Sequence, residues 1–268
     1  MATQQQKAER FETLHDREGA FVIPNPWDGG SARILEGLGF EALATTSSGF
    51  AQTLGRRDGQ VSLEEKLDHC RLLCSVTTVP VSVDLENGFG HAPADVQATI
   101  AAVAATGAVG GSIEDFDGEG IYELGLAVER VQAAVEAARA LPFPFTLTAR
   151  AENLLHGIDD LDDTVRRLQA FEAAGADVLY APGLRTLEQV KQVCGAVSKP
   201  VNVLAPLVAG AKVADLAAAG ARRLSVGGAL ALLSLGPVLD AGQAMLEQGD
   251  FDWVQQLSRA AQARKYLT

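Results

Sequence analysis

Short runs rich in β-branched and apolar residues recur along the chain, and each is followed by a stretch rich in Ala, Leu and Glu with helical periodicity. The runs predict strands at 21–24, 41–47, 79–84, 109–114, 143–150, 177–181, 200–204 and 222–226. The stretches predict helices at 30–38, 63–76, 94–105, 124–140, 161–174, 187–196, 212–219 and 229–248. Near-continuous apolar strands that alternate with helices are typical of a parallel sheet whose outer side is covered by helices.

The number of these units decides the predicted fold. Eight strand–helix units close into an α/β fold of the (β/α)8 TIM type, here as one domain over residues 1–268. The alternative is a doubly wound open sheet, which normally has fewer strands and a Gly-x-Gly-x-x-Gly turn after the first of them. That turn is missing, and no linker divides the chain. The amphipathic segment 250–268 predicts a C-terminal helical extension, docked on this barrel or on a neighbouring subunit.

Glycines mark the ends of several predicted helices. Small-residue segments around Gly39, Gly107, Gly175 and Gly220 stand directly before predicted strands. Because glycine adopts the left-handed conformation that ends many helices, these positions predict helix C-caps that lead into the next strand.

Composition and charge narrow the classes of partner. The formal net charge of −12 disfavours nucleic acid and anionic membranes, and no cluster of Lys and Arg with aromatic residues offsets it. The three cysteines cannot make a disulfide framework. The first residues lack the layout of a secretory signal, and we expect no apolar run long enough to span a bilayer, so the expected location is the cytoplasm. An anionic substrate stays compatible with this charge, because a metal and a few placed cations reverse the sign locally.

Polar residues gather at the predicted C-terminal strand ends, where barrel enzymes carry their chemistry. The set comprises Asn25, Ser47-Ser48-Gly49, Asp84-Leu85-Glu86-Asn87-Gly88, Glu114-Asp115, Arg150-Ala151-Glu152-Asn153, Tyr180, Asn202 and Ser225. Several carboxylates at one mouth repel one another unless a cation neutralises them. Oxygen ligands without histidine favour Mg²⁺ or Mn²⁺ over zinc.

Alternative interpretations accompany the strongest of these residues. Asp84 and Glu86 share one face of a strand, which favours a joint role, although a strand terminus that caps the next turn explains them too. Arg150 ends an apolar strand and is placed to bind a carboxylate, while an ion pair with Glu152 or Glu114 is the alternative.

Three loops carry weaker signals. The segment Ser47-Ser48-Gly49-Phe50 permits a turn whose backbone N–H groups face an anion. Asp58 lies in a polar loop before the helix at 63–76, and on its own it is a solvated acid. The segment Ser225-Val226-Gly227-Gly228 suits either phosphate binding at a helix N-terminus or close packing of strand on helix. We expect no catalytic arrangement from the four scattered histidines.

The combination of these segments resembles a known family. The chain carries, in order and on successive strands, Ser47-Ser48-Gly49, Asp58, Asp84-Leu85-Glu86-Asn87-Gly88-Phe89-Gly90, Ile113-Glu114-Asp115 and Thr148-Ala149-Arg150. This order is similar to that of the isocitrate lyase/phosphoenolpyruvate mutase superfamily over nearly the whole chain. The resemblance implies a Mg²⁺-dependent enzyme that makes or breaks a C–C or P–C bond beside a 2-oxo acid, through an enolate-like state. It also implies a homotetramer in which neighbouring subunits exchange their last barrel helix.

The resemblance implies a role for each matching residue. Asp84 would bind the metal directly, and Glu86, Glu114 and Asp58 would hold its coordinated waters. The Ser48 hydroxyl with the Gly49 and Phe50 amides would bind the substrate carboxylate, and Arg150 would hold the oxo-acid end. The predicted sets are therefore Asp84, Glu86 and Glu114 for the metal, Asp58, Glu114 and Arg150 for catalysis, and Ser48, Gly49, Phe50, Arg150 and Asn202 for the substrate.

One departure from the family narrows the reaction. Isocitrate and methylisocitrate lyases carry a Lys-x-Cys-Gly-His loop after the Ile-Glu-Asp strand, whereas residues 116–123 here contain no Lys, Cys or His. A lyase acting on a small oxaloacetate-like acid is therefore favoured. The alternatives are a P–C bond enzyme of the phosphonopyruvate hydrolase or phosphoenolpyruvate mutase type, a non-catalytic 2-oxo acid binding protein, and an unrelated phosphate-binding barrel.

Overall fold

The computed structural model of the chain describes residues 2–267, apart from the side chain of Arg259. Its parallel strands are β1 Phe21–Ile23, β2 Leu43–Ala44, β3 Val81–Asp84, β4 Gly110–Glu114, β5 Thr146–Arg150, β6 Val178–Tyr180, β7 Val201–Leu204 and β8 Arg223–Ser225. They are hydrogen-bonded in the order β1-β8-β7-β6-β5-β4-β3-β2, so from β2 to β8 each strand pairs with its neighbour in sequence, and β8 pairs with β1. A doubly wound sheet would change direction at a switch point, and this order contains none.

The two ends of this order meet. The backbone N–H of Ala44 in β2 donates to the carbonyl of Pro24, directly after β1, at 3.1 Å. The sheet is thus a nearly closed barrel, and the predicted (β/α)8 fold is confirmed. Exchange of a helix between subunits stays a prediction.

The eight predicted helices lie where the sequence pattern places them, within two residues at each end, and three more are present in the described part of the chain. The helices are α1 Gln4–Asp16, α2 Gly29–Gly37, α3 Ser47–Thr53, α4 Leu63–Val76, α5 Pro93–Ala104, α6 Leu124–Arg139, α7 Leu161–Ala173, α8 Leu187–Gly195, α9 Val213–Ala218, α10 Ala229–Gln248 and α11 Leu257–Ala261. Those that the pattern missed are α1 and α3, together with α11 as a separate short helix.

Helix α1 covers the N-terminal end of the barrel. Phe11 and Leu14 are buried in a cluster with Phe21 and Ile23 of β1 and with Val109 beside β4. The polar residues Gln4, Gln5 and Gln6 obscure the periodicity at its start, where Thr3 forms the capping box. The apolar face of the helix therefore closes the end of the barrel opposite the predicted mouth.

The predicted strand at 41–47 is wrong beyond Ala44. The Thr46 side chain accepts a hydrogen bond from the Gly49 N–H at 3.2 Å and caps α3. The Ser47 N–H, at the first turn of the same helix, donates to the Asp84 carboxylate at 3.0 Å. Because the cap and this carboxylate satisfy N–H groups that the first turn of a helix leaves unpaired, the chain turns into a helix here.

Four glycines have the conformation that their positions predict. Gly39, Gly107, Gly175 and Gly220 have φ between 99° and 103°, in the left-handed region. Each follows the last turn of a helix, so the predicted C-caps are confirmed.

Helix α10 requires a correction to the expectation that no apolar run could span a bilayer. By length and composition, Ala229–Gln248 is long and apolar enough to do so, although it carries Asp240 and Glu247. The exposed side chains include Leu232, Leu233, Val238, Leu239 and Leu246. This helix therefore presents an apolar surface that the barrel does not cover.

The tail after α10 is also different from the single helix that was predicted. It consists of 3₁₀ turns at Asp252–Gln256 and Gln262–Tyr266 on either side of α11. The Tyr266 ring lies against Gly37 and leaves no room there for a Cβ. The tail thus docks on α2 of its own barrel.

Replacement of Phe11 by Ala tests the role of α1. Phe11 is fully buried, so the cavity left behind should lower the free energy of unfolding by about 3–5 kcal/mol in urea denaturation. The neighbouring exposed side chain gives the control, and Arg10→Ala should change stability by less than about 0.5 kcal/mol. Equal effects of the two substitutions would contradict the closing role of α1.

Candidate active site

Arg150, the last residue of β5, lies at the centre of the polar mouth of the barrel. Its guanidinium contacts Asp84 Oδ1 at 2.8 Å, Glu114 Oε2 at 3.2 Å and Glu152 Oε1 at 2.7 Å. Its side chain is only 12% exposed. The ion-pair alternative for Arg150 is therefore the arrangement found, and it involves one more acid than the sequence suggested.

Asp84 ends β3 and is bound on both carboxylate oxygens. Oδ1 accepts from Arg150, and Oδ2 accepts from the Ser47 N–H. Burial alone would raise the pKa of Asp84, but the charges of Arg150 and Lys66 outweigh it and hold the pKa below its ordinary value. Asp84 is therefore an ionised carboxylate fixed at the mouth.

Glu114 and Glu86 have the opposite electrostatic character. Burial, assisted by Glu152 and Asp84, raises the pKa of Glu114 well above its ordinary value in spite of Arg150. Burial, opposed by Lys66, raises the pKa of Glu86 to about 7. Glu86 Oε1 is also buried without a hydrogen-bond partner. The mouth thus holds more carboxylates than its cations compensate.

Lys66 is a site residue that the sequence analysis missed. It projects from α4, its side chain is 0% exposed, and its Nζ lies 3.7 Å from Glu86 Oε1 without a hydrogen bond. The helical pattern could have indicated it, because Lys66 shares a face of α4 with Cys70 and Leu73, both fully buried. A lysine on a buried stripe needs an anionic partner, which indicates a site.

The loop after β3 holds Glu86 in an unusual backbone conformation. Glu86 and Phe89 have φ of 51° and 59°, although neither is glycine. Arg130, buried in α6, donates to the carbonyls of Asn87, Gly90 and His91 and fixes the loop. Strained residues persist only where surrounding contacts hold them, and they often lie at functional sites.

Asp115 does not face the mouth. Its carboxylate pairs with Arg167 of α7 at 3.1 Å and accepts from the Glu152 N–H at 2.8 Å. Of the acids at the strand ends, Asp115 therefore has a structural role beneath the site, whereas Glu152 belongs to the Arg150 cluster.

The predicted carboxylate-binding segment is the first turn of α3. The Gly49 N–H donates to Thr46 Oγ1 and the Phe50 N–H to the Thr46 carbonyl. The Phe50 ring stacks on His69 at 3.9 Å, and the Ser48 side chain is exposed beside the mouth. The Gly49 and Phe50 amides are thus engaged at the start of the helix, and their role toward a substrate stays a prediction.

Two cavities adjoin the Arg150 cluster. The inner cavity, of about 170 Å³, reaches down the barrel axis and is lined in part by Thr45, Ser82, Ser112, Asn202 and Arg223. The outer cavity, of about 440 Å³, opens above Arg150 and is lined in part by Glu86, Glu114, Phe116, Glu152 and His156. Asp58, exposed in its loop, lines both, so the structure does bring it to the mouth.

Asn202 lies in the wall of the inner cavity, fully engaged with protein. Its amide donates to Ser225 Oγ and its carbonyl accepts from Arg223 Nε, each at 2.9 Å. The N–H groups of Val226 and Gly227 both donate to Asn25 Oδ1 at 2.9 Å. Since the Val226 and Gly227 amides are occupied, the loop at 225–228 fits the close-packing interpretation rather than phosphate binding.

The carboxylate oxygens at the mouth of the barrel fit a hard metal ion. Within residues 2–267, no three His, Cys, Asp or Glu side chains converge as a ready ligand set, because Arg150 lies among the carboxylates. The carboxylates still suit Mg²⁺, because their oxygens are hard donors and Glu86 Oε1 accepts no hydrogen bond. Mg²⁺ also keeps several waters and needs few direct protein ligands. The residues present therefore fit an ion bound by Asp84 with the other acids acting through water.

Comparison with known proteins decides the family. A family model described as phosphoenolpyruvate phosphomutase matches residues 11–246. The chain belongs to this family. A solved structure of a putative lyase/mutase from Burkholderia cenocepacia J2315 is 54% identical, covers 94% of this chain and 92% of its own, and has a TM-score of 0.91. The superfamily predicted from the strand-end motifs, and the prediction of an enzyme, are confirmed.

Two further likenesses differ in the chemistry that their names give. An oxaloacetate decarboxylase from Bradyrhizobium sp. strain BTAi1 is 31% identical over 253 residues, 90% of this chain and 83% of that protein. A putative phosphonomutase from B. cenocepacia J2315 is 32% identical, covers 92% of this chain and 100% of its own, and has a TM-score of 0.82. The chain is thus similar both to a protein named as a decarboxylase and to one named as a putative phosphonomutase.

Replacement of Arg150 by Met tests the charge balance of the mouth. The substitution leaves three buried carboxylates without their cation and should lower the free energy of unfolding by roughly 3–5 kcal/mol at pH 8. Arg150 lowers the pKa of Asp84 and of Glu114, so without it both folded-state pKa values rise and the loss should shrink as pH falls toward 5. Urea denaturation at both pH values measures this.

The surface pair of Arg139 with Asp177 provides the control for that experiment. Arg139 is half exposed, so Arg139→Met should cost less than about 1 kcal/mol at either pH. A loss for R150M that equals that of R139M, or that grows at low pH, would contradict the assigned balance.

Proposed function

We propose that this enzyme is a Mg²⁺-dependent lyase that cleaves a C–C bond of a small 2-oxo dicarboxylate such as oxaloacetate. The observation that carries the proposal is the group of strand-end acids Asp84, Glu114 and Glu152 around Arg150, next to a Glu86 oxygen that accepts no hydrogen bond. Such a group joins a place for a hard cation to a guanidinium that suits a carboxylate.

The metal would be held by Asp84 directly, with Glu86 and Glu114 acting through its waters, and Mn²⁺ would suit the same donors. When bound, the ion supplies the positive charge that polarises the 2-oxo group and stabilises the negative charge of an enolate. The low pKa of Asp84 keeps its carboxylate ionised for this purpose.

Arg150 would exchange partners when substrate binds. Its charge is compensated by three carboxylates, and a cation at those acids would free the guanidinium for the oxo-acid end of the substrate. Ser48, exposed at the start of α3, would bind the substrate carboxylate together with the N-terminal amides of that helix around Gly49 and Phe50. Asp58, in the loop between both cavities, would lie near the scissile bond, and Asn202 would form the inner wall.

Cleavage of a P–C bond is the second candidate. It is favoured by the likeness to a putative phosphonomutase, whereas the likeness to an oxaloacetate decarboxylase favours the C–C bond. The two reactions release different products from the same 2-oxo acid core.

A substrate panel followed by ¹H and ³¹P NMR tests the reaction class. With Mg²⁺, the protein should convert oxaloacetate or a related 2-oxo acid and leave phosphonopyruvate unchanged. Turnover of phosphonopyruvate alone would favour the P–C candidate. Binding without any turnover would leave a 2-oxo acid binding protein and refute the proposed lyase.

Replacement of Asp84 by Ala tests the metal assignment. Loss of the one direct ligand should weaken Mg²⁺-dependent binding of pyruvate by at least about tenfold in calorimetry. The control is Asp68→Ala, because Asp68 is an exposed acid of α4 that pairs only with Arg71 in the described part of the chain. Unchanged metal-dependent binding in D84A would refute the assignment.

We further propose that the chain assembles as a cytoplasmic homotetramer in which a second copy covers α10. The exposed leucines of that helix support this, because soluble proteins rarely leave so large an apolar face in water. The resemblance to the superfamily supports exchange of this helix between neighbours.

Sedimentation of the intact chain measures the assembly, and we expect the mass of four subunits. The double substitution Leu232→Glu with Leu239→Glu should reduce that mass, since both side chains are over 60% exposed in the single subunit. Leu38→Glu, at an exposed position after α2, should leave it unchanged. A wild-type mass of one subunit would reject the tetramer.

A further inference from the structure

Arg223 is a buried cation that the proposed chemistry at the mouth does not use. It begins β8, is 5% exposed, and crosses the barrel interior below Arg150. Its Nε donates to Asn202 Oδ1 at 2.9 Å and its Nη2 to Thr148 Oγ1 at 3.0 Å. Its Nη1 is buried and has no hydrogen-bond partner within the described part of the chain.

The charge of Arg223 is not compensated by the protein. Across residues 2–267, no carboxylate forms an ion pair with it, whereas Arg150 has three such partners. Burial lowers the pKa of Arg223 to about 10, so the guanidinium remains charged at neutral pH. A buried charge without a counter-ion is costly, which indicates that an anion completes the site.

The surroundings of Arg223 suit a small, singly charged oxyanion. Arg223 lines the inner cavity together with the hydroxyls of Ser82 and Ser112, on β3 and β4. The space of about 170 Å³ is continuous with Asp84 and Arg150 at the mouth. One guanidinium and hydroxyl donors, close to an ionised aspartate, balance a carboxylate better than a doubly charged phosphonate.

We propose that the inner cavity is a subsite for a carboxylate group, bound by Arg223 Nη1 with the hydroxyls of Ser82 and Ser112. The group is either the distal carboxylate of a dicarboxylic substrate, which rests on the proposed function, or a free small carboxylate. In the first case Arg223 sets the preference for dicarboxylates over monocarboxylates.

Malate and lactate are matched probes for this subsite, because malate is lactate with its methyl group replaced by a carboxymethyl group. In calorimetry with Mg²⁺, Arg223→Met should weaken malate binding by about 10–100-fold and leave lactate binding within about twofold. Arg223→Lys, which keeps the charge, should restore part of the malate affinity. Formate, titrated without metal, should raise the melting temperature of the wild type and not that of R223M.

The outcomes separate the two sources of the carboxylate. Loss of both the malate preference and the formate effect assigns the subsite to the substrate, and loss of the formate effect alone assigns it to a free anion. No change in either measurement would overturn the subsite. The readouts are binding affinity and melting temperature, so they do not require the proposed lyase reaction to occur.

A second variant covers the case in which R223M does not fold. Ser82→Ala combined with Ser112→Ala keeps the cation and removes two hydroxyls. It should weaken malate binding by at least about fivefold, with lactate unchanged. Equal malate affinities in this variant and the wild type would then overturn the subsite.

Discussion

The mouth of this barrel depends on the compensation of one arginine by three carboxylates. Asp84 and Glu114 end β3 and β4, Glu152 follows β5, and the parallel pairing of these adjacent strands brings the three acids around Arg150. Each acid would be costly at this depth without a cation. The same compensation makes the site responsive, because any cation that takes over the carboxylates releases the guanidinium for an anionic ligand.

Much of the fold could be predicted because its physical signals are local. Eight alternations of strand and helix predict a parallel sheet covered by helices on its outer side. Glycines such as Gly107 and Gly175 mark where a helix ends. Helix α1 was not predicted, because its first turn is polar and its apolar residues contact partners far along the chain. The turn into α3 was not predicted, because the Ser47 N–H donates to Asp84, which lies 37 residues away in the sequence.

Some residues of the site could be predicted from local sequence signals, and others could not. Asp84, Glu114 and Arg150 stand at strand ends, so their meeting at one mouth follows from topology alone. Lys66 reaches the mouth from a helix, and Asp115 turns away from it toward Arg167, and neither fact is encoded in strand order. Which acid faces the mouth is decided by where its buried cationic partner lies, and that is a property of packing.

The two interior arginines explain how charge is layered along the barrel axis. Arg150 lies in a layer with more carboxylates than cations, so that layer tends to attract a positive ion. Arg223 lies one layer deeper among hydroxyls and an amide, so its layer tends to attract a negative group. A substrate with a metal-binding oxo acid at one end and a carboxylate at the other would satisfy both layers at once. The alternation of charge thus favours a short dicarboxylate over a monocarboxylate on electrostatic grounds.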